Sequence, residues 1–312
     1  MSRDTRAATH GAWIGPLCAV VGTLGFSFKA ILIKLAYAWT AIDAITLLAL
    51  RMLYSIPFYA VIAWWFGRGR PAPTRADWTA IAWLGFIGYY LSSFLDFVGL
   101  LYISASLERL ILFLYPTIVV LLSAALHRKP ITRRIGAALA LSYAGIALVI
   151  RHDFDVSGDA LATLTGGGLV FAAACTYSLY FVGAGGVIGR LGSSRFIALA
   201  MLVSAFFVLS QFALTRRFSA LAEPAAVQGV AFGMAVFVTV VPTWLLAEAI
   251  KRMGANHASL VGSLGPVFTI ALGASILGEP LHALQLFGAA LVLAGVILVT
   301  RPAAARDGGS AG

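Results

Sequence analysis

A chain of 312 residues that is 61% hydrophobic and 11% charged departs from ordinary soluble domains, which run at about 45–50% and about 25%. Mean hydropathy is +0.94, so lipid is the solvent for most of the chain and a water-soluble fold is excluded. The net charge of +10 sits in short segments between apolar runs, where membrane topology explains it better than nucleic-acid binding does.

A helix needs about 20 apolar residues to cross the hydrocarbon core. That length predicts spans near 13–36, 42–66, 78–99, 103–126 and 132–150, then 164–188, 195–214, 227–250, 255–277 and 282–300. Open strands would leave backbone groups unsatisfied in lipid, and the alternating pattern of a membrane barrel is lacking, so the spans are helices. The first run lacks a small-residue cleavage site and reads as a span, not a signal peptide. Cys18 and Cys175 lie inside apolar runs and read as small packing residues.

The stretch from Leu100 to Arg151 reappears without gaps from Ile250 to Arg301. Pro116 falls on Pro266, Pro130 on Pro280, and Ala144-Gly145-Ile146 on Ala294-Gly295-Val296. The chain therefore divides into a cytoplasmic N-terminal segment (1–12), a first repeat (13–151), an external linker (152–163), a second repeat (164–301) and a cytoplasmic tail (302–312). The linker is marked by Asp153, Asp155, Ser157, Gly158 and Asp159. With the N-terminus inside, Arg68, Arg70, Arg75, Arg128, Lys129, Arg133, Arg134, Arg190, Arg195, Lys251 and Arg252 all fall on the inner side. Arg151, Arg216 and Arg217 fall outside. Five spans per repeat force the second copy to enter from the opposite side, giving two inverted five-helix repeats.

The residues that carry this repetition are Ser104-Ala105-Ser106-Leu107, Tyr115-Pro116, Pro130 and Gly145-Ile146-Ala147-Leu148-Val149. Their partners are Ala258-Ser259-Leu260, Gly265-Pro266, Gly278-Glu279-Pro280 and Gly295-Val296-Ile297-Leu298-Val299. In these the chain resembles the EamA-type drug/metabolite transporter superfamily, and within it the YddG-type exporters of aromatic and other amino acids. The resemblance implies ten helices in two inverted units and export of small metabolites across a bacterial inner membrane. One departure stands out: the second copy has Gly278-Glu279 where the first has His127-Arg128-Lys129, a basic turn that suits the inner side.

Ionisable groups inside spans are costly and mark a pathway or a pair. Lys29 and Lys34 lie on the first span, Arg51 on the second, Asp96 on the third, Glu108 and Arg109 on the fourth and Glu248 on the eighth. Lys34, Asp96, Glu108 and Arg109 concentrate toward the outer side and are the candidate gate or pairing cluster. The bland alternative is a set of rim salt bridges or snorkelling side chains. Pro116 and Pro266, matched in the two repeats, are candidate hinges, because proline removes a helical hydrogen bond. Tyr90, Tyr115, Tyr177, Tyr180 and Trp244 are mid-span aromatics with a polar handle and are candidate substrate-binding residues. Trp13, Trp39, Trp64, Trp65 and Trp78 near span ends read as interfacial anchors.

No phosphate-binding loop, metal-ligand cluster or nucleophile with its base is evident, so an enzyme is not expected, and neither is a cofactor. The expected partners are a small-molecule substrate, amino acids first, and the lipid bilayer. A drug or nucleotide-sugar carrier is the alternative within transport, although a phosphate-bearing substrate calls for more lysines. A scaffold would not need two exchangeable access states.

Overall fold

The computed structural model describes residues 13–126, 132–253 and 255–300. Every predicted span is helical: α1 (Ile14–Trp39), α2 (Ala44–Gly67), α3 (Arg75–Gly99), α4a (Ala105–Leu112) with α4b (Tyr115–Leu126), and α5 (Arg133–Ser157). The second half gives α6 (Ala160–Leu191), α7 (Ser193–Thr215), α8 (Ala225–Met253), α9a (Ala255–Gly262) with α9b (Gly265–Leu277), and α10 (Ala283–Thr300). The described residues contain no strand. The basic residues Arg128 and Lys129, the termini and their arginines lie outside the described residues.

Helix starts are set by side chains that satisfy otherwise orphaned N–H groups. Asp43 accepts from Ile45 N and Thr46 N, Thr74 and Asp77 form a capping box, and Ser104, Thr132 and Asp159 cap α4a, α5 and α6. The centre of the chain differs from expectation. The segment read as a turn-rich linker is helical except at Gly158 and Asp159, because α5 continues to Ser157 and stops on Gly158 at φ +68°. That left-handed cap favours glycine. The turn between α5 and α6 defines one end of the bundle, here called the linker end; the opposite end is the terminal end.

The two matched prolines do more than kink their helices. The fourth span breaks at Phe113–Leu114 and the ninth at Ser263–Leu264, and each proline is the second residue of the half that follows. Proline has no N–H to lose at that position, so a helix start suits it. A second matched irregularity lies beyond what the sequence announced: wide π turns at Phe86–Leu91 in α3 and at Val236–Val240 in α8. A third, Gly273–Leu277, ends α9b.

Packing follows the repeat. The helix α5 lies along α10 and α2 along α7, each pairing with its own counterpart; α1 packs on α8 and α9, as α6 packs on α3 and α4. Lipid gives no hydrophobic drive between helices, so close packing must hold them. At the α5–α10 contact the backbones nearly touch: a Cβ on Gly288 would lie 2.6 Å from the Gly145 carbonyl oxygen, and one on Gly145 would strike the Gly288 carbonyl. Gly85, Gly88 and Gly265 likewise face close neighbours, whereas Gly185 and Gly262 face open space. Trp13, Trp39, Trp64, Trp65 and Trp78 are all exposed, as anchors would be.

Candidate functional site

Lys29, midway along α1, gathers two carboxylates from two other helices. Its Nζ donates to Asp96 Oδ2 of α3 at 2.7 Å and lies 3.0 Å from Glu108 Oε1 of α4a. Glu108 is fully buried and the Asp96 side chain is 4% exposed. Arg109, next on α4a, points across the repeat boundary, with Nη2 2.7 Å from where a Cβ would sit on Gly265 of α9b. Asp96 Oδ1, Glu108 Oε2 and Arg109 Nε are buried with no hydrogen-bond partner among the described residues. Arg51 of α2 closes the group, bonding Ser93 Oγ at 3.3 Å and lying 5.0 Å from the Phe97 ring centroid. Such groups are retained in a membrane when they pair with each other or face a polar path.

Of the expected gate cluster, Asp96 and Glu108 are therefore together and Arg109 adjoins them, but Lys34 is elsewhere. Lysine 29 holds the carboxylates instead. Lys34 lines a cavity of about 630 Å³ at the linker end. Five residues on a helix turn the side chain by about 140°, so the two lysines cannot serve one site.

The broken helices are tied across the repeat boundary by mirrored bonds. Ser27 Oγ of α1 donates to the Gly265 carbonyl of α9b at 3.1 Å, and Ser178 Oγ of α6 donates to the Tyr115 carbonyl of α4b at 3.2 Å. Gly265 and Tyr115 occupy equivalent repeat positions, each just before its proline. Each serine also bonds a carbonyl four residues back, so the broken ends rest on a hydroxyl and not on lipid.

Three of the five candidate aromatics meet. Tyr115 and Tyr177 pack edge to face at 5.4 Å, Tyr177 stacks on Tyr180 at 5.7 Å, and Phe181 and Phe196 complete the group. Tyr89, not among the candidates, joins through a hydroxyl–hydroxyl hydrogen bond to Tyr180 of 2.9 Å. Its signal was only its place beside Tyr90, which the π turn sends to a different set: Tyr90 packs against Phe86, Phe94 and Phe207 and donates to Gln211 Oε1 at 3.0 Å. Trp244 is not brought to either group. It stands 65% exposed on α8.

Both ends of the bundle carry ties between the halves. At the terminal end Arg190 donates through Nε and Nη2 to Asp77 Oδ1 at 2.9 and 2.7 Å, Arg195 donates to the Pro71 carbonyl and Arg70 to the Leu191 carbonyl. At the linker end Asp43 accepts from Arg216 at 3.1 Å, and α4a begins between two carboxylates. Glu279 takes hydrogen bonds from Ala105 N at 2.7 Å and Ser106 Oγ at 2.6 Å, while Asp153 takes them from Ser104 N and Oγ. Anions at a helix N-terminus are favoured by the exposed N–H groups and the helix dipole. Glu279, from the Gly-Glu pair of the second repeat, thus caps a helix of the first. Glu248 pairs with Arg252 within α8, and His257 bonds the Met253 carbonyl.

Asp43 gives a pH test. Burial pushes its carboxyl up, but hydrogen bonds from Thr46 and Arg216 outweigh this and hold it below its ordinary value of 3.8. A depressed carboxylate stabilises the fold above the unfolded value and loses that contribution as pH falls through the folded one. Acidification below 3.8 is therefore expected to release the α1–α2 turn from Arg216, read as a rise in labelling of a cysteine placed at Ala41. Asp43→Asn should show the raised labelling at neutral pH, with little change in melting, since exposed pairs are worth about 0.2–1 kcal/mol.

Among the described residues no group of three or more His, Cys, Asp or Glu is placed to hold a metal ion. Comparison with known proteins agrees with the two-repeat geometry. Residues 13–151 and 164–301 each match the EamA-like transporter family. The uncharacterized transporter YcbK of Bacillus subtilis (strain 168) is 28% identical over 294 residues, 92% of this chain and 93% of the relative. The uncharacterized transporter YyaM of the same organism is 28% identical over 224 residues, 69% of this chain and 70% of the relative. One crystal structure superposes with a TM-score of 0.60 at 18% identity, covering 93% of this chain and 97% of that one, which shows a common fold. Two matched units, each with a proline-broken helix tied to the other half, leave one assignment: the chain belongs to the EamA-like transporter family.

Proposed function

We propose that the chain is a secondary transporter that exports amino acids, aromatic and other apolar ones foremost, by alternating access between its inverted halves. It would sit in the bacterial inner membrane with both termini cytoplasmic, which makes the linker end external. The observation that carries the reading is the mirrored pair of broken helices with their Ser27 and Ser178 ties. Discontinuous helices at equivalent repeat positions are where transporters of this architecture bind and bend. Halves built on the same bonds at equivalent positions can exchange conformations between states of similar free energy, as alternating access requires.

The substrate chemistry comes from what lies around the breaks. Lys29 with Asp96 and Glu108 offers both signs of charge to a zwitterion, and the Tyr115, Tyr177 and Tyr180 rings offer an apolar yet hydrogen-bonding wall for a side chain. Purified protein in liposomes should move labelled phenylalanine down its gradient and exchange it for unlabelled apolar amino acids. Tyr177→Ala should alter the competitor ranking while the protein still folds and reconstitutes. Flux no faster than in empty liposomes for every amino acid, with uptake of a nucleotide sugar or a cationic drug, would replace the amino-acid reading with that carrier class.

A further inference from the structure

We propose that the linker-end cavity is a second binding site, for the charged head of a zwitterionic amino acid with an apolar side chain, separate from the tyrosine cluster. Its approximately 630 Å³ is lined by Lys34 and Tyr37 of α1, Tyr102, Asp153 of α5, Glu279 in the turn before α10 and Gln285 of α10. That volume holds a free amino acid of any side chain, since small-ligand sites run from about 300 Å³ upward.

The charges inside it are arranged for a ligand carrying both signs. Lys34 makes no hydrogen bond or ion pair among the described residues, although its helix neighbour Lys29 is doubly engaged. Gln285 is 2% exposed, and its Oε1 is buried without a partner. A buried amide left unpaired is costly, so something that bonds it is favoured there. The two carboxylates are held in place by the α4a N-terminus, Glu279 through Ala105 and Ser106 and Asp153 through Ser104. A carboxylate has about four acceptor sites, so each can receive a ligand ammonium beside its backbone donors. Lys34 then receives the ligand carboxylate, Glu279 and Asp153 attract its ammonium, and Gln285 Oε1 accepts a hydrogen bond from the ligand N–H. The Leu100 to Ile103 stretch and Leu277 give the side chain an apolar bed.

The site has a mechanical consequence. Glu279 and Asp153 fix the start of the broken helix α4a, which carries Glu108 and Arg109. An ammonium seated on their remaining acceptor sites offsets the negative charge that holds the α4a N-terminus, so occupancy here loosens the element whose Glu108 engages Lys29. This is a waiting site on the linker side, coupled to the gate below it.

The proposal depends on the amino-acid reading only for the choice of probe, and its test reads the cavity locally. In a background of Cys18→Ser and Cys175→Ser, Ala38→Cys places a thiol on the cavity wall. Maleimide labelling of the full chain in nanodiscs should be slowed by phenylalanine, and about tenfold higher concentrations of its methyl ester or N-acetyl derivative should be needed, each lacking one charge. Lys34→Gln should erase the difference between acid and ester, Lys34→Arg should restore it, and Gln285→Leu should weaken protection by all three without unfolding the bundle. Equal protection by acid and ester, or discrimination that survives Lys34→Gln, would overturn the assignment. So would protection by glycerophosphoethanolamine with none by amino acids, which would make the cavity a lipid-headgroup site. Failure of transport in liposomes with protection intact would sink the amino-acid export reading and leave this site standing.

Discussion

Lys29→Met is expected to unfold the protein far more readily than loss of any exposed charge would. The substitution keeps the volume but strips the counter-ion from Asp96 and Glu108, which are 4% and 0% exposed. Removing one partner of a buried ion pair costs about 3–5 kcal/mol, because the orphaned charge stays buried. Two carboxylates depend on one ammonium here, and α1, α3 and α4a meet nowhere else through charge among the described residues. The melting temperature in detergent should fall sharply, and adding Asp96→Asn and Glu108→Gln to Lys29→Met should recover most of it. If Lys29→Met melts with the unsubstituted protein, the trio does not hold the three helices. Lys34→Met, by contrast, should leave melting nearly unchanged, which separates the two lysines.

The second large effect is steric. Gly145→Leu should separate α5 from α10, since the Gly288 carbonyl and Val292 N, 2.9 Å from the new Cβ, are backbone and cannot give way. Overpacking of this kind costs about 1–3 kcal/mol where side chains can adjust, and more where they cannot. In lipid no hydrophobic burial compensates. Gly136→Ala on the same helix is the control: open space surrounds it, and alanine favours the helix by about 0.5–1 kcal/mol. Folded yield from membranes should drop for the first and hold or rise for the second. Equal yields would mean that the α5–α10 contact is not what joins the halves at that side.

The helices were legible in the sequence because lipid leaves little choice: a run of about 20 apolar residues must be a helix. Pro116 and Pro266 were legible as weak points for the same local reason, and the structure turns each weak point into a full break. The π turns at Phe86–Leu91 and Val236–Val240 were not, since no residue type demands a wide turn. Their effect on reading the site is direct. Residues seven apart share a face of a regular helix, but the wide turn between Trp83 and Tyr90 shifts the phase by about a residue, and Trp83 ends 61% exposed while Tyr90 is half-buried. The matching turn in α8 takes in Phe237 and stops short of Trp244, and both of these end exposed, at 62% and 65%. The choice of Lys29 over Lys34 is of the same kind, set by the rotation of α1 against α3 and α4a. The central acidic stretch misled because Asp153 reads as a turn former, yet it sits inside α5 and accepts from Ser104 at the start of the preceding span.

Alternating access is most directly tested by distances at both ends of the bundle in one protein. Spin labels at Leu101→Cys and Leu281→Cys report the linker end, and labels at Arg133→Cys and Lys251→Cys report the terminal end. In nanodiscs each pair should show two populated distances, and a transported amino acid should shift the two pairs in opposite senses, one end opening as the other closes. A single distance at each end that substrate leaves unchanged, while the same preparation carries out transport, would contradict the exchange of mirrored halves.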